Sequence, residues 1–63
     1  QNNSLFLDNN QFSKLMNISK RTAQQWRDNS VISYSQVGNK IFYRITDIEK
    51  LLQDNYIKAK KEI

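Results

Sequence analysis

The chain has 63 residues, with ten Lys and Arg against six Asp and Glu, no His, no Cys and no Pro, and a net charge of +4. A chain this short buries only about 60% of the surface its unfolded form exposes. Without cysteine or histidine it has neither disulfides nor an ordinary zinc site as staples, so a small hydrophobic core must suffice. The commonest general base and the strongest nucleophile are missing as well, and so short a chain cannot wall off a deep pocket. Most enzyme chemistry is thereby excluded, and no cofactor is implied. Mean hydropathy is −0.78, yet 38% of residues are hydrophobic and 11% aromatic, enough for a core. No apolar run in these residues approaches the roughly 18 of a membrane span, and none reads as a signal-peptide h-region ahead of a small-residue cleavage site. The start Gln1-Asn2-Asn3, without an initiator methionine, points to a piece of a longer protein.

Leu5 and Phe6 read as a short extended lead-in that staples onto Phe12. Asp8 followed three residues later by Gln11 is a capping-box variant that opens a first helix. Phe12, Leu15 and Met16 give it one apolar stripe, and Asn17, tolerant of a left-handed backbone, closes it. Only Ile18 separates Asn17 from the next cap, Ser19. A second helix runs from Lys20 to about Asn29 with Ala23 and Trp26 facing inward. Two short helices joined so tightly must cross steeply, the helix-turn-helix arrangement.

The period then changes. Ile32, Tyr34 and Gln36 alternate with Ser33, Ser35 and Val37, Gly38-Asn39 interrupts, and Lys40 to Ile45 is rich in β-branched and aromatic residues. This reads as a β-hairpin, which must pack on the helices because an isolated two-stranded hairpin is marginal in water. Thr46-Asp47-Ile48-Glu49 matches a capping box, followed by the stripe Ile48, Leu51 and Leu52. The spacing predicts a last helix continuing through Tyr56 toward Lys58-Ala59-Lys60-Lys61. The expected fold is one domain over 1–63, mainly α with a small β-hairpin, in the order helix, helix, hairpin, helix. Its expected core is Phe12, Leu15, Ile18, Trp26, the hairpin aromatics and Leu51.

Charge is concentrated in the middle of the chain. Residues 14–44 carry a net +5, residues 45–63 are neutral and residues 1–13 contribute −1. With a sequence pI near 9.6, this favours a polyanionic partner for the middle segment.

Ser19-Lys20-Arg21-Thr22, Trp26-Arg27, Val37-Gly38-Asn39-Lys40-Ile41-Phe42-Tyr43-Arg44 and Asp47-Ile48-Glu49-Lys50-Leu51-Leu52, in that order and spacing, resemble the excisionase-type, MerR-like winged helix-turn-helix domains. The resemblance spans roughly Leu5 to Tyr56 and is closest to small Bacteroidetes proteins of mobile elements. Relatives commonly carry Pro where this chain has Ser33, and Gly or a basic residue where it has Asn39. The resemblance implies double-stranded DNA as partner, a bacterial cytoplasmic location, and a hairpin acting as a wing over the phosphate backbone or minor groove.

On a helical wheel, Arg21 and Gln25 lie opposite Ala23 and Trp26, with Gln24 on a flank. Arg can bond guanine and Gln adenine in a bidentate manner, so Arg21, Gln24 and Gln25 are the expected base readers. Ser19, Lys20 and Thr22, at the start of the helix, suit phosphate. On the hairpin, Asn39, Lys40 and Arg44 are expected at the DNA, with Arg44 alternatively pairing with Asp47 or Glu49. Arg27 faces partly toward the core, so packing and an ion pair compete with a DNA contact. Trp26 is expected in the core. Tyr34, Phe42 and Tyr43, interleaved with basic residues, raise single-strand stacking as an alternative, although at least one of them belongs to the core.

The function expected is sequence-specific binding to duplex DNA, as a transcription regulator or a recombination directionality factor. The alternative is a protein-interaction module. Ile57 and Ile63 extend the apolar pattern of the last helix, which would then contact a second copy, an integrase or RNA polymerase. Its balanced charge speaks against a membrane surface.

Overall fold

The computed structural model describes residues 5–59. The chain runs β1 (Phe6–Asp8), α1 (Asn9–Met16), α2 (Lys20–Asp28), β2 (Ser35–Val37), β3 (Lys40–Arg44) and α3 (Ile45–Asp54). The order helix, helix, hairpin, helix is the expected one, and the fold is a small winged helix-turn-helix. The hairpin is not alone, however. β1 pairs antiparallel with β3 in the register Phe6↔Arg44, Leu7↔Tyr43 and Asp8↔Phe42, so the sheet has three strands in the order β1-β3-β2. The third strand supplies the hydrogen bonds that a two-stranded wing lacks.

Local chemistry sets most boundaries. Asp8 Oδ1 accepts from Gln11 N at 2.8 Å and Gln11 Oε1 accepts from Asp8 N at 2.9 Å, so the capping box is complete. Leu7, immediately before the cap, packs against the core that contains Phe12, whereas Leu5 and Phe6 stay exposed. The hydrophobic staple therefore falls one residue later than the expected one, because pairing of β1 with β3 turns Leu7 inward. Asn17 closes α1 at φ 57°, as its tolerance of the left-handed region predicts.

α2 ends by the same device at a residue that gives no such signal. Ser30 sits at φ 59°, with Ser30 N donating to Arg27 O and Val31 N donating to Trp26 O, a Schellman pattern that usually employs glycine. Serine carries a steric cost in this region. Ser30→Gly should therefore raise stability by about 0.5–1 kcal/mol, visible as a higher urea midpoint at unchanged m.

Four sequence expectations need correction. The first strand of the hairpin starts at Ser35 rather than Ile32, because Ile32 is buried in the loop after α2 and anchors it to the core. Leu15 is 58% exposed, while Phe12 and Ser13 are the buried positions of α1. Two turns of helix have one inward face, and α2 and the sheet cover the Phe12/Ser13/Met16 side. Thr46-Asp47-Ile48-Glu49 does not form its box. β3 runs straight into α3, the cap position is Arg44 without a side-chain cap bond, and Asp47 is the acid of the first turn. Ile45 N donates to Leu5 O, so the lead-in determines where α3 can start. Finally, α3 stops at Asp54. The Asn55 side chain takes the Leu51 carbonyl at 2.9 Å, and Tyr56 and Ile57, 74% and 88% exposed, find no core to hold a further turn. Lys60, Lys61 and Ile63 lie outside the described residues.

Phe12, Ala23, Ile32, Tyr43 and Ile48 are buried, with Leu7, Met16, Ile18, Trp26, Ile41 and Leu51 packed around them. The Phe12 ring stacks on Tyr43 with centroids 4.0 Å apart and meets Trp26 edge-on at 6.2 Å. One aromatic thus holds both the sheet and α2 against α1.

Candidate nucleic-acid interface

The candidate interface is built on α2. Ser19 caps it: its Oγ accepts from Thr22 N at 3.1 Å and donates to Thr22 Oγ1 at 3.1 Å. Both hydroxyls, expected at phosphate, are thus already engaged in shaping the start of the helix. Beyond the cap, α2 divides cleanly. Thr22, Ala23, Trp26 and Arg27 turn inward, while Lys20, Arg21, Gln24, Gln25 and Asp28 are exposed. At 3.6 residues per turn the exposed set covers an arc of about 140°. The arc is apolar nowhere, and its only acid, Asp28, sits at the far end from the helix N-terminus. Arg21, Gln24 and Gln25 are brought together on it as the wheel predicts.

The wing turns at Gly38-Asn39, with Val37 paired to Lys40. Gly38 takes φ 62° while Asn39 stays at negative φ, the pattern of a two-residue II′ turn, and Gln36 Nε2 donates to Gly38 O at 3.0 Å across the tip. Lys40 projects at the base of this turn. It shares a cleft of about 330 Å³ with Lys20, Asn39, Asp8, Asn9 and Asn10, so the second helix and the wing converge. Arg44 does not join them. It lies at the other end of β3, where Nε and Nη2 donate to the two Asp47 carboxylate oxygens at 3.0 and 3.1 Å. The hydrogen bond and charge of Asp47 push its guanidinium pKa still higher. Of the two readings of Arg44, pairing with Asp47 is the one the structure displays.

Arg27 is likewise accounted for. Its Nη1 donates to Tyr43 Oη at 2.6 Å and to Asn9 Oδ1 at 3.2 Å, and the Tyr43 hydroxyl donates to Asn9 Oδ1 at 3.1 Å. Its guanidinium also lies 5.8 Å from the Tyr34 ring centroid. This network ties the second helix to α1 and β3, fixing the angle at which the exposed arc is presented. Tyr43 is buried in the core and Trp26 packs against it, which leaves neither as a stacking platform for bases. Tyr43→Phe keeps the ring stack but leaves Arg27 short of a partner. It should cost about 1–2 kcal/mol in denaturant unfolding.

Sequence reasoning missed Asn9 and Asn10 as lining of the cleft and missed the Arg27–Tyr43–Asn9 network. Asn9 precedes Arg27 by 18 positions and Tyr43 by 34, and nothing local announces such partners. Gln36 at the wing tip was also missed, although its place two residues before Gly38 was a usable signal.

A tight two-helix turn, an exposed cationic and amide arc on the second helix and a wing beside it define a DNA-binding helix-turn-helix protein. In agreement, the family model described as "Helix-turn-helix domain" matches residues 6–56, and the chain belongs to that family. No curated protein and no solved structure matches it.

Proposed function

We propose that this chain binds duplex DNA in a sequence-specific manner, with Arg21, Gln24 and Gln25 at base edges in the major groove and the wing on the backbone. The carrying observation is the exposed arc of α2, free of hydrophobic residues and continuous with the Lys20/Lys40 cleft. Such a surface suits a binding module rather than an enzyme. Within the family, the ordered resemblance to excisionase-type, MerR-like domains favours a role as transcription regulator or recombination directionality factor of a bacterial mobile element. Among the described residues no helix is long and apolar enough to cross a membrane.

Titration of duplex DNA at several salt concentrations tests the reading. With four to six phosphates neutralised, log K should fall against log[salt] with a slope of about −4 to −5. No binding at low salt to any duplex would refute it. Selection from random duplexes would then show whether sites occur singly, as direct repeats or as palindromes, which separates monomeric from paired action.

A second reading, protein interaction through the last helix and the segment that follows it, draws on the exposed Leu52 of α3 and on Tyr56 and Ile57 beyond its end. A second copy, an integrase or RNA polymerase would be the partner. Sedimentation checks the first of these, since a strict monomer would argue against self-association.

A further inference from the structure

The cleft between α1, the first residue of α2 and the wing holds two cations from elements distant in sequence. Lys20 and Lys40 both line it, and neither has an ion pair: among the described residues the ion pairs are Arg44–Asp47 and Lys50–Asp54. Two lysines lining one cleft bring like charges near each other, a repulsion that an anion between them would relieve. The single acid in the cleft is Asp8, whose Oδ1 is committed to Gln11 N in the α1 cap. Asn9 lines the same cleft. Its Oδ1 accepts from both Arg27 Nη1 and Tyr43 Oη, which locks the side chain and leaves Nδ2 as what it can offer. Asn10 and Asn39 add further amides around the same space. The cleft is therefore rich in donors, with two positive charges against one negative.

We infer that this cleft holds a single phosphodiester of the DNA backbone, gripped at once by the second helix through Lys20 and by the wing through Lys40, with Asn9 Nδ2 as a third donor. The inference rests on the duplex-binding reading and adds to it that wing and recognition helix act on one phosphate rather than two. That shared phosphate fixes the register of Arg21, Gln24 and Gln25 relative to the bases. The Arg27–Tyr43 network belongs to the same device, because it orients Asn9.

The test compares the wild-type chain with Lys20→Ala, Lys40→Ala, the double variant and Asn9→Asp on one selected duplex. Both lysines are exposed, so their variants retain the fold. If they share a phosphate, the double variant loses about 0.9 of salt slope; if they serve separate phosphates, it loses about 1.8. Replacing backbone phosphates one at a time by neutral methylphosphonate should find one position that weakens the wild type, weakens each single lysine variant less, and barely affects the double variant. Asn9→Asp keeps the acceptor for Arg27 and Tyr43 but removes the amide donors. The new carboxylate also pairs with Arg27 and adds negative charge at the cleft, so the thermal midpoint should hold or rise while duplex binding weakens by about fivefold or more. Sensitivity of the two lysines to different phosphates, with a slope loss near 1.8, would overturn the shared grip while duplex binding stands. Absence of duplex binding by the wild type would overturn both.

Discussion

Phe12→Ala should unfold a large part of the population at room temperature or lower the thermal midpoint by about 15–30 °C. Phe12 is fully buried and touches the two rings that hold the sheet and α2. Removing it forfeits the buried surface and leaves a cavity that two short helices and a small sheet cannot close, at a cost of about 3–5 kcal/mol. A domain of this size has only roughly 3–9 kcal/mol of stability to lose, and each kcal/mol corresponds to about 4–8 °C. Leu15→Ala is the control. On sequence pattern it belongs to the same stripe, but being exposed it should cost well under 1 kcal/mol. Circular dichroism melts of both variants check the pair, and equal losses would mean that α1 is rotated from the face described.

Arg21→Ala should weaken binding to the selected site by about 1–3 kcal/mol and relax specificity at one base pair. The guanidinium is exposed on the arc and has no ion pair among the described residues, so the substitution leaves the fold alone. On the proposed reading, the substitution removes a bidentate contact to guanine O6 and N7 along with its discrimination. Dissociation constants for the selected duplex and its single base-pair variants provide the measurement. An equal loss on every sequence would assign Arg21 to phosphate instead. Lys40→Ala gives the contrasting pattern of uniform weakening, so a changed base preference there would contradict a backbone role.

Much of this architecture was legible because it is written in nearest-neighbour chemistry. The Asp8/Gln11 box, Asn17 at positive φ, the Ser19 cap and the Gly38 turn each depend on groups within a few residues of one another. The same locality explains the failures. Thr46 and Glu49 carry a valid box, yet α3 starts earlier because Ile45 N is already held by Leu5 O across the sheet. Ser30 takes a left-handed turn with no compositional signal, since the path from α2 to the buried Ile32 requires it. Leu15 and Phe12 are indistinguishable as letters in a stripe, and only the placement of α2 and β3 decides which is covered.

The candidate site divides along the same line. Charge concentration in residues 14–44 and the wheel of α2 were sufficient to place Arg21, Gln24 and Gln25 on one exposed arc, because helical periodicity alone orients them. That Lys20 and Lys40 share a cleft with Asn9, and that Arg44 is turned away to Asp47, was decided by the tertiary structure. The opening inventory, a net +4 with no His or Cys, determined that this is a basic domain without disulfides or a Cys/His zinc staple. It could not say which cations lie together, because that depends on the pairing of β1 with β3 and on one aromatic stack, contacts between residues far apart in the chain.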